Sequence, residues 1–274
     1  GSILIPAMAA QGYDAGFSSA LSAISGSLGT VIPPSITFII YGMITGESIG
    51  DLFLSGIVPG LIFGFMLCIM VFIKSKKNGW KGETQRASLK EIGRLFLDTI
   101  WGLLSPVIVL GGIYSGLFTP TEAAAVAVVY SLIVGIFIYK ELRLTELKET
   151  LFSTAKTTGM ILLIIMNAGI FSWVLTQQGI AASLTEMALA LTDNRYIMLF
   201  IINIVFLCAG CVMDNTSALY ILVPIIMPIA KALDINMIQL GVILVLNLSI
   251  GQVTPPVGPN LYVAADAGEW CRYF

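Results

Sequence analysis

Two short stretches near opposite ends of the chain place the same residue types in the same register. Ser249-Ile250-Gly251-Gln252-Val253-Thr254-Pro255-Pro256 repeats Ser27-Leu28-Gly29-Thr30-Val31-Ile32-Pro33-Pro34 at Ser, Gly, Val, Pro and Pro. Each copy lies inside an apolar run. Gly followed by Pro-Pro breaks a helix, because the second Pro has no N–H and pushes the first out of the α region. Lipid does not tolerate the freed carbonyls, so each break must be buried in protein or line a water-filled site. The chemistry on offer is hard-oxygen coordination. Ser27, Gly29 and Thr30, with Ser249, Gly251, Gln252 and Thr254, supply hydroxyls, an amide and backbone carbonyls, which suit Na⁺ and not a soft metal. A second polar cluster, Asp214-Asn215-Thr216-Ser217, interrupts another apolar run and can complete the second cation site. Asp214 has an alternative role as a helix cap. Half-helix N-termini attract anions, so a carboxylated substrate suits the ends that follow Pro33-Pro34-Ser35 and Pro255-Pro256, up to Gly258. There is no His, which favours Na⁺ over H⁺ coupling, although a carboxylate can also carry a proton.

Composition sets the frame for these stretches. Hydrophobic residues make up 57% of the 274 and charged residues 11%, against roughly 25% charged in a soluble domain. The mean hydropathy is +0.93. This is an all-α polytopic membrane protein whose constant partner is the lipid bilayer. It has no basic patch for nucleic acid and no GxxxxGK[ST] loop for ATP. Cys208 and Cys211 form a C-x-x-C in an apolar run without a second ligand pair, so they read as small packing residues and not as a metal or redox site. No cofactor is expected besides Na⁺ as a coupling ion, and no enzyme: an aspartyl-type intramembrane enzyme needs paired acids, and Asp214 has no evident partner.

Ile3 to Met8 reads as a short arm. Ala15 to Ile32 is a helix rich in small residues, which let membrane helices pack closely, and Ser35 to Ile44 is the half-helix after its break. A polar loop, Thr45 to Asp51, precedes a span from Leu52 to Ile73. Lys74 to Arg94 holds Lys74, Lys76, Lys77, Lys81, Arg86, Lys90 and Arg94, half of the 14 basic residues, and the positive-inside rule makes it cytoplasmic. Ile100 to Phe118 crosses outward, and Thr119 to Glu122 forms a turn and helix start. Ala123 to Tyr139 returns to a second basic loop, Lys140 to Lys156. Thr157 to Leu175 crosses again, and Gln177 to Arg195 is amphipathic. Tyr196 to Asp234 reads as a re-entrant hairpin tipped by Asp214 to Ser217, whose second arm, Ala218 to Ala230, is too short to span. Met237 to Ile250 leads to the second break and Asn260 to Ala265 follows it. Leu222-Val223-Pro224 precedes the second break much as Leu4-Ile5-Pro6 precedes the first, so each copy is hairpin then broken helix. With one broken helix running outward and the other inward, this is an inverted repeat, the design of alternating access. The organisation is then 1–51 (second hairpin arm and first broken helix), 52–195 (scaffold and connecting helices), 196–265 (second hairpin and broken helix) and 266–274 (an atypical tail).

Four stretches in order carry a family resemblance: GSLGTVIPPSITFIIYG (Gly26 to Gly42), GGIYSGLFTPTEAAAVA (Gly111 to Ala127), MDNTSALYILVPIIMPIA (Met213 to Ala230) and LNLSIGQVTPPVGPNLYVA (Leu246 to Ala264). The chain resembles the large membrane subunit, a DctM-like permease, of the tripartite ATP-independent periplasmic (TRAP) transporters. The resemblance implies an elevator-type transporter in the bacterial inner membrane. It also implies Na⁺ coupling, a small membrane subunit, and a periplasmic substrate-binding protein that delivers an organic acid such as a C4-dicarboxylate or a sialic acid. It runs to about Ala265. Family members are longer at both ends, so the chain reads as a fragment lacking the first helices, the first hairpin tip and a final helix. Two other functions fit the residues themselves: a single-chain ion-coupled carboxylate carrier or antiporter, and a non-transporting membrane scaffold that would not respond to Na⁺.

Overall fold

The computed structural model describes residues 1, 4–80 and 88–270, and every regular element among them is helical. Ile3, Lys81, Arg86 and the last four residues of the tail lie outside the described residues. Among the described residues, six helices are long and apolar enough to cross a membrane, as the composition requires.

Helix starts follow local capping chemistry. After the short α1 (Leu4–Ala10), Asp14 caps α2 (Ala15–Leu28) by accepting from Phe17 N at 2.8 Å, and Asn236 caps α11 (Met237–Gly251) by accepting from Gln239 N at 3.0 Å. These two caps occupy matching positions ahead of the two breaks. Ser35 caps α3 (Ile36–Thr45) and Ser48 caps α4 (Ile49–Asn78). The latter cap shortens the expected polar loop: with Ser48 accepting from Asp51 N and Asp51 in the first turn, the helix begins at Ile49 and not at Leu52.

The chain forms two compact units, Gly1–Glu83 with Ile165–Phe274, and Thr84–Ile164. The second unit contains α5 (Leu89–Tyr114), α6 (Pro120–Ile133) with a π-helical extension over Val134–Ile138, and the first part of α7 (Leu144–Gln177). Thr119 and Glu122 close a capping box at the start of α6, the helix start expected there. Tyr130 Oη donates to Trp101 O at 2.6 Å and Tyr139 Oη to Asp98 O at 2.9 Å, tying α6 and its extension to α5. The two basic segments are less loop than expected. α4 continues to Asn78, α5 starts at Leu89 behind the Ser88 cap, and α7 starts at Leu144. Lys, Glu and Leu are good helix formers that need no lipid to stay helical.

The first unit holds α1 to α4, α8 (Ile180–Leu191), α9 (Arg195–Val212), α10 (Asn215–Ala232), α11 and α12 (Pro259–Trp270). Its packing is exchanged between the repeats. α1 and α2, which precede the first break, pack on α12, which follows the second; α10 and α11, which precede the second, pack on α3, which follows the first. Ile5 and Val223, the central residues of the two matched Leu-x-Pro triplets, are 0% and 1% exposed. Tyr41 of α3 reaches Met237 O at 2.6 Å. α9 and α10 make the helical hairpin, but its second arm is longer than expected. Capping by Asp214 starts α10 at Asn215, and Pro224 and Pro228 lie inside an unbroken 18-residue helix. The expected helix over 15–32 ends instead at Leu28, and α12 continues past Ala265, so the start of the supposed tail is helical.

The interlocked helix breaks

Both broken helices unwind in the same way. After Leu28 the bonds tighten to i→i−3: Gly29 N to Gly26 O (3.2 Å), Thr30 N to Ser27 O (3.1 Å) and Val31 N to Leu28 O (3.0 Å). After Gly251 the same pattern joins Val253 N to Ile250 O (3.2 Å) and Thr254 N to Gly251 O (3.0 Å). Tightened last turns are a common way to satisfy helix-end carbonyls. The Pro33–Pro34 and Pro255–Pro256 bonds that follow are both cis. The chain then re-enters a helix by different means. In the first copy, Ser35 Oγ donates to Thr30 O at 2.5 Å and caps α3. In the second, Gly258 turns with φ +40, and Asn260 N donates to Gln252 O at 3.1 Å. The N-termini after Ser35 and Gly258, expected to face a carboxylate, thus already receive acceptors from the protein.

The exchanged packing brings the two breaks into contact. Thr30 Oγ1 and Ser249 Oγ lie 2.5 Å apart, and Asn260 Nδ2 donates to Ser27 Oγ (3.0 Å) and to Gln252 Oε1 (3.2 Å). Ser27 and Ser249 are each 0% exposed. Five polar side chains from both ends of the chain therefore share one centre, with Thr30, Gln252 and Asn260 half-buried around the buried Ser27 and Ser249, and each finds a polar partner there, as polar groups inside a membrane protein must. Ser27, Thr30, Ser249 and Gln252 were legible as candidates. Asn260 was not, because it stands beyond the motif; its only signal was an amide in an apolar stretch.

The hairpin abuts the second break. Val257 N donates to Cys211 O at 3.0 Å. A Cβ on Gly251 would lie 2.5 Å from Gly210 Cα, closer than real Cβ contacts come, so these two glycines let the backbones of α9 and α11 touch. One helical turn or two away, Asn247 Nδ2 donates to Asn203 Oδ1 at 2.6 Å and to Ile243 O at 2.8 Å. These two Asn residues, the amides in the apolar middle stretches of α9 and α11, went unread in the sequence.

At the tip, the four expected ligands differ in availability. The Asp214 carboxylate is occupied by its own turn, accepting from Thr216 N (3.0 Å), Ser217 N (3.1 Å) and Ser217 Oγ (2.6 Å). Asp214 is therefore the N-cap of α10, and the Ser217 hydroxyl is spent as a donor to it. Asn215 is 6% exposed, and neither its Oδ1 nor its Nδ2 has a hydrogen-bond partner. A buried amide left unpaired is costly, so Asn215 is the tip residue with coordinating capacity to spare. Thr254 Oγ1 turns back on Ile250 O at 2.8 Å, and Pro255 and Pro256 are exposed. Cys211 Sγ donates to Leu207 O, and no cluster of three or more His, Cys, Asp or Glu occurs among the described residues.

Residues 1–272 match the family described as tripartite ATP-independent periplasmic transporter, DctM component. The match continues past Ala265, where the resemblance was expected to stop. The chain is 42% identical over 269 residues to the isethionate TRAP transporter permease protein DctMQ of Oleidesulfovibrio alaskensis, covering 98% of this chain and 42% of that protein. It is 43% identical over 265 residues to the C4-dicarboxylate TRAP transporter large permease protein DctM of Pseudomonas aeruginosa, covering 97% and 62%. It is 37% identical over 269 residues to the sialic acid TRAP transporter large permease protein SiaM of Vibrio cholerae, covering 98% and 63%. The chain thus spans less than two thirds of the length of these relatives.

Proposed function

Since the chain belongs to the DctM component family of the tripartite ATP-independent periplasmic transporters, we propose that it is the transport core of a large permease subunit that imports an organic acid with Na⁺. The observation that carries this reading is the pair of helix breaks locked around buried oxygen groups. Hydroxyl, amide and carbonyl oxygens without a soft ligand form a donor set that fits Na⁺. The backbone carbonyls of Ser27, Gly29 and Thr30 would serve the first ion; Asn215, Thr216, Gly251 and Gln252 would serve the second, with Asp214 holding the hairpin tip in shape. The relatives' names specify isethionate, C4-dicarboxylates and sialic acid, all organic anions, and the substrate class here is the same. The protein would sit in the bacterial inner membrane beside a small membrane subunit. It would receive its substrate from a periplasmic binding protein and carry the interlocked breaks across in an elevator-type movement.

The test is uptake of labelled organic acids into proteoliposomes containing the complete transporter, with and without Na⁺ and with and without the binding protein. Uptake that needs both supports the tripartite, Na⁺-coupled reading. Na⁺-driven uptake without a binding protein would replace it with a single-chain carrier, and absence of any Na⁺-dependent uptake would leave a membrane scaffold.

A further inference from the structure

The contact between the two breaks has more short oxygen contacts than protons. Thr30 Oγ1 lies 2.7 Å from Ser27 O and 2.5 Å from Ser249 Oγ, and Ser249 Oγ lies 2.6 Å from Val245 O. Each hydroxyl carries one proton, so two protons must serve three contacts. Two arrangements leave the hydroxyls bonded to each other. In one, Thr30 donates to Ser27 O, Ser249 donates to Thr30, and Val245 O loses its side-chain donor. In the other, Ser249 donates to Val245 O, Thr30 donates to Ser249, and Ser27 O is released from its side-chain donor. Ser27 O sits where the first half-helix ends, and a cation there would compete for that carbonyl. Meanwhile Asn260 has both amide protons engaged, one on Ser27 Oγ and one on Gln252 Oε1, a group of the second break.

We propose that Thr30, Ser249 and Asn260 are positioning residues that couple the two breaks, so that a cation bound at one changes the affinity at the other. The proposal rests on the Na⁺-coupled reading above. A cation at the first break selects the arrangement that frees Ser27 O, turns the Ser249 hydroxyl along α11, and is reported through Ser27 and Asn260 to Gln252. Coupling must be reciprocal, and values between sites run from roughly 5-fold to 150-fold; one buried hydrogen bond corresponds to roughly fivefold.

The experiment is the Na⁺ dependence of thermal protection and of uptake, at constant ionic strength with choline, for the complete purified transporter. Thr30→Val and Ser249→Ala are measured singly and together, with Thr30→Ser as the conservative variant and Asn260→Leu as an independent probe. The wild type should show a Hill coefficient above unity for Na⁺. Thr30→Val, Ser249→Ala and Asn260→Leu should each bring it to unity with roughly fivefold weaker Na⁺ binding. The Thr30/Ser249 double variant should be no worse than either single, and Thr30→Ser should retain cooperativity. A variant that does not fold is replaced in this comparison by the remaining two. Wild-type cooperativity that survives in the folded variants, or additive losses in the double variant, overturns the coupling but leaves Na⁺ coupling standing. A wild type with no Na⁺ response in either readout overturns the functional reading and the coupling with it.

Discussion

The two breaks share a motif and differ in their beds. The first is pressed against α4: a Cβ on Gly56 would lie 2.6 Å from Phe38 Cε2 and 3.0 Å from Val31 O. Val31, Pro33, Ser35 and Thr37 alternate inward and are all buried. The second is pressed against α9 through Gly210, Asn203 and Cys211, yet Pro255, Pro256 and Val257 are exposed. The Gly-x-x-x-Pro-Pro pattern thus dictates where the helix unwinds, while the neighbouring helix decides which part of the unwound chain remains accessible. The helix leading into the second break, α11, is buried on most of its surface; α2, which leads into the first, buries only Ser18, Ala23 and Ser27.

Matched substitutions sharpen this difference. The largest effect is expected at Gly251→Ala, where the new methyl meets Gly210 backbone that cannot swing away. A loss of about 3 kcal/mol, at the upper end for overpacking, or failure to fold should appear in thermal unfolding. The matched Gly29→Ala meets only Gly26 O at 3.3 Å, with Gly29 at φ −64, and should cost under about 1 kcal/mol. Equal losses at both would erase the asymmetry. Next is Gly56→Ala, which forces the fully buried Phe38 ring to move. A cost of about 1–3 kcal/mol is expected, partly relieved by Phe38→Leu; no relief would show that the first break does not lean on α4 there. Asn247→Leu should cost about 1 kcal/mol by leaving Asn203 Oδ1 without its donor, with Asn203→Leu/Asn247→Leu milder than the sum of the singles. The smallest effect belongs to Asp214→Asn. Asn caps nearly as well as Asp, so stability should change by only a few tenths of a kcal/mol. If Na⁺ affinity nevertheless falls at least tenfold, the carboxylate is a ligand after all.

Much of this was legible because each signal was local. Gly and Pro-Pro inside apolar runs marked the breaks, Thr119 and Glu122 marked a helix start, and Asp214 offered both a ligand and a cap from one short stretch. What the sequence hid was mostly non-local. Nothing near Thr30 says that it meets Ser249, and Asn260 bridges Ser27 and Gln252 only because the half-helices exchange partners. Gly56 and Gly210 are ordinary residues until another backbone or ring arrives. The basic segments misled for another reason: charge bears on the side of the membrane and not on conformation, and both begin or end as helix.

The central claim is that the two breaks form one interlocked centre, and a cysteine pair tests it most directly. The four native Cys would be replaced by Ala, and Thr30→Cys/Ser249→Cys introduced into the complete transporter in membranes. Side-chain oxygens 2.5 Å apart place the two sulfurs within reach of a disulfide. Mild oxidation should link the peptides containing residues 30 and 249, while a Thr30→Cys/Thr254→Cys control, whose Thr254 side chain is half-exposed and bonded back to Ile250 O, should not link. Linking of the control with the test pair left reduced would contradict the interlock and separate the two breaks into independent structural kinks.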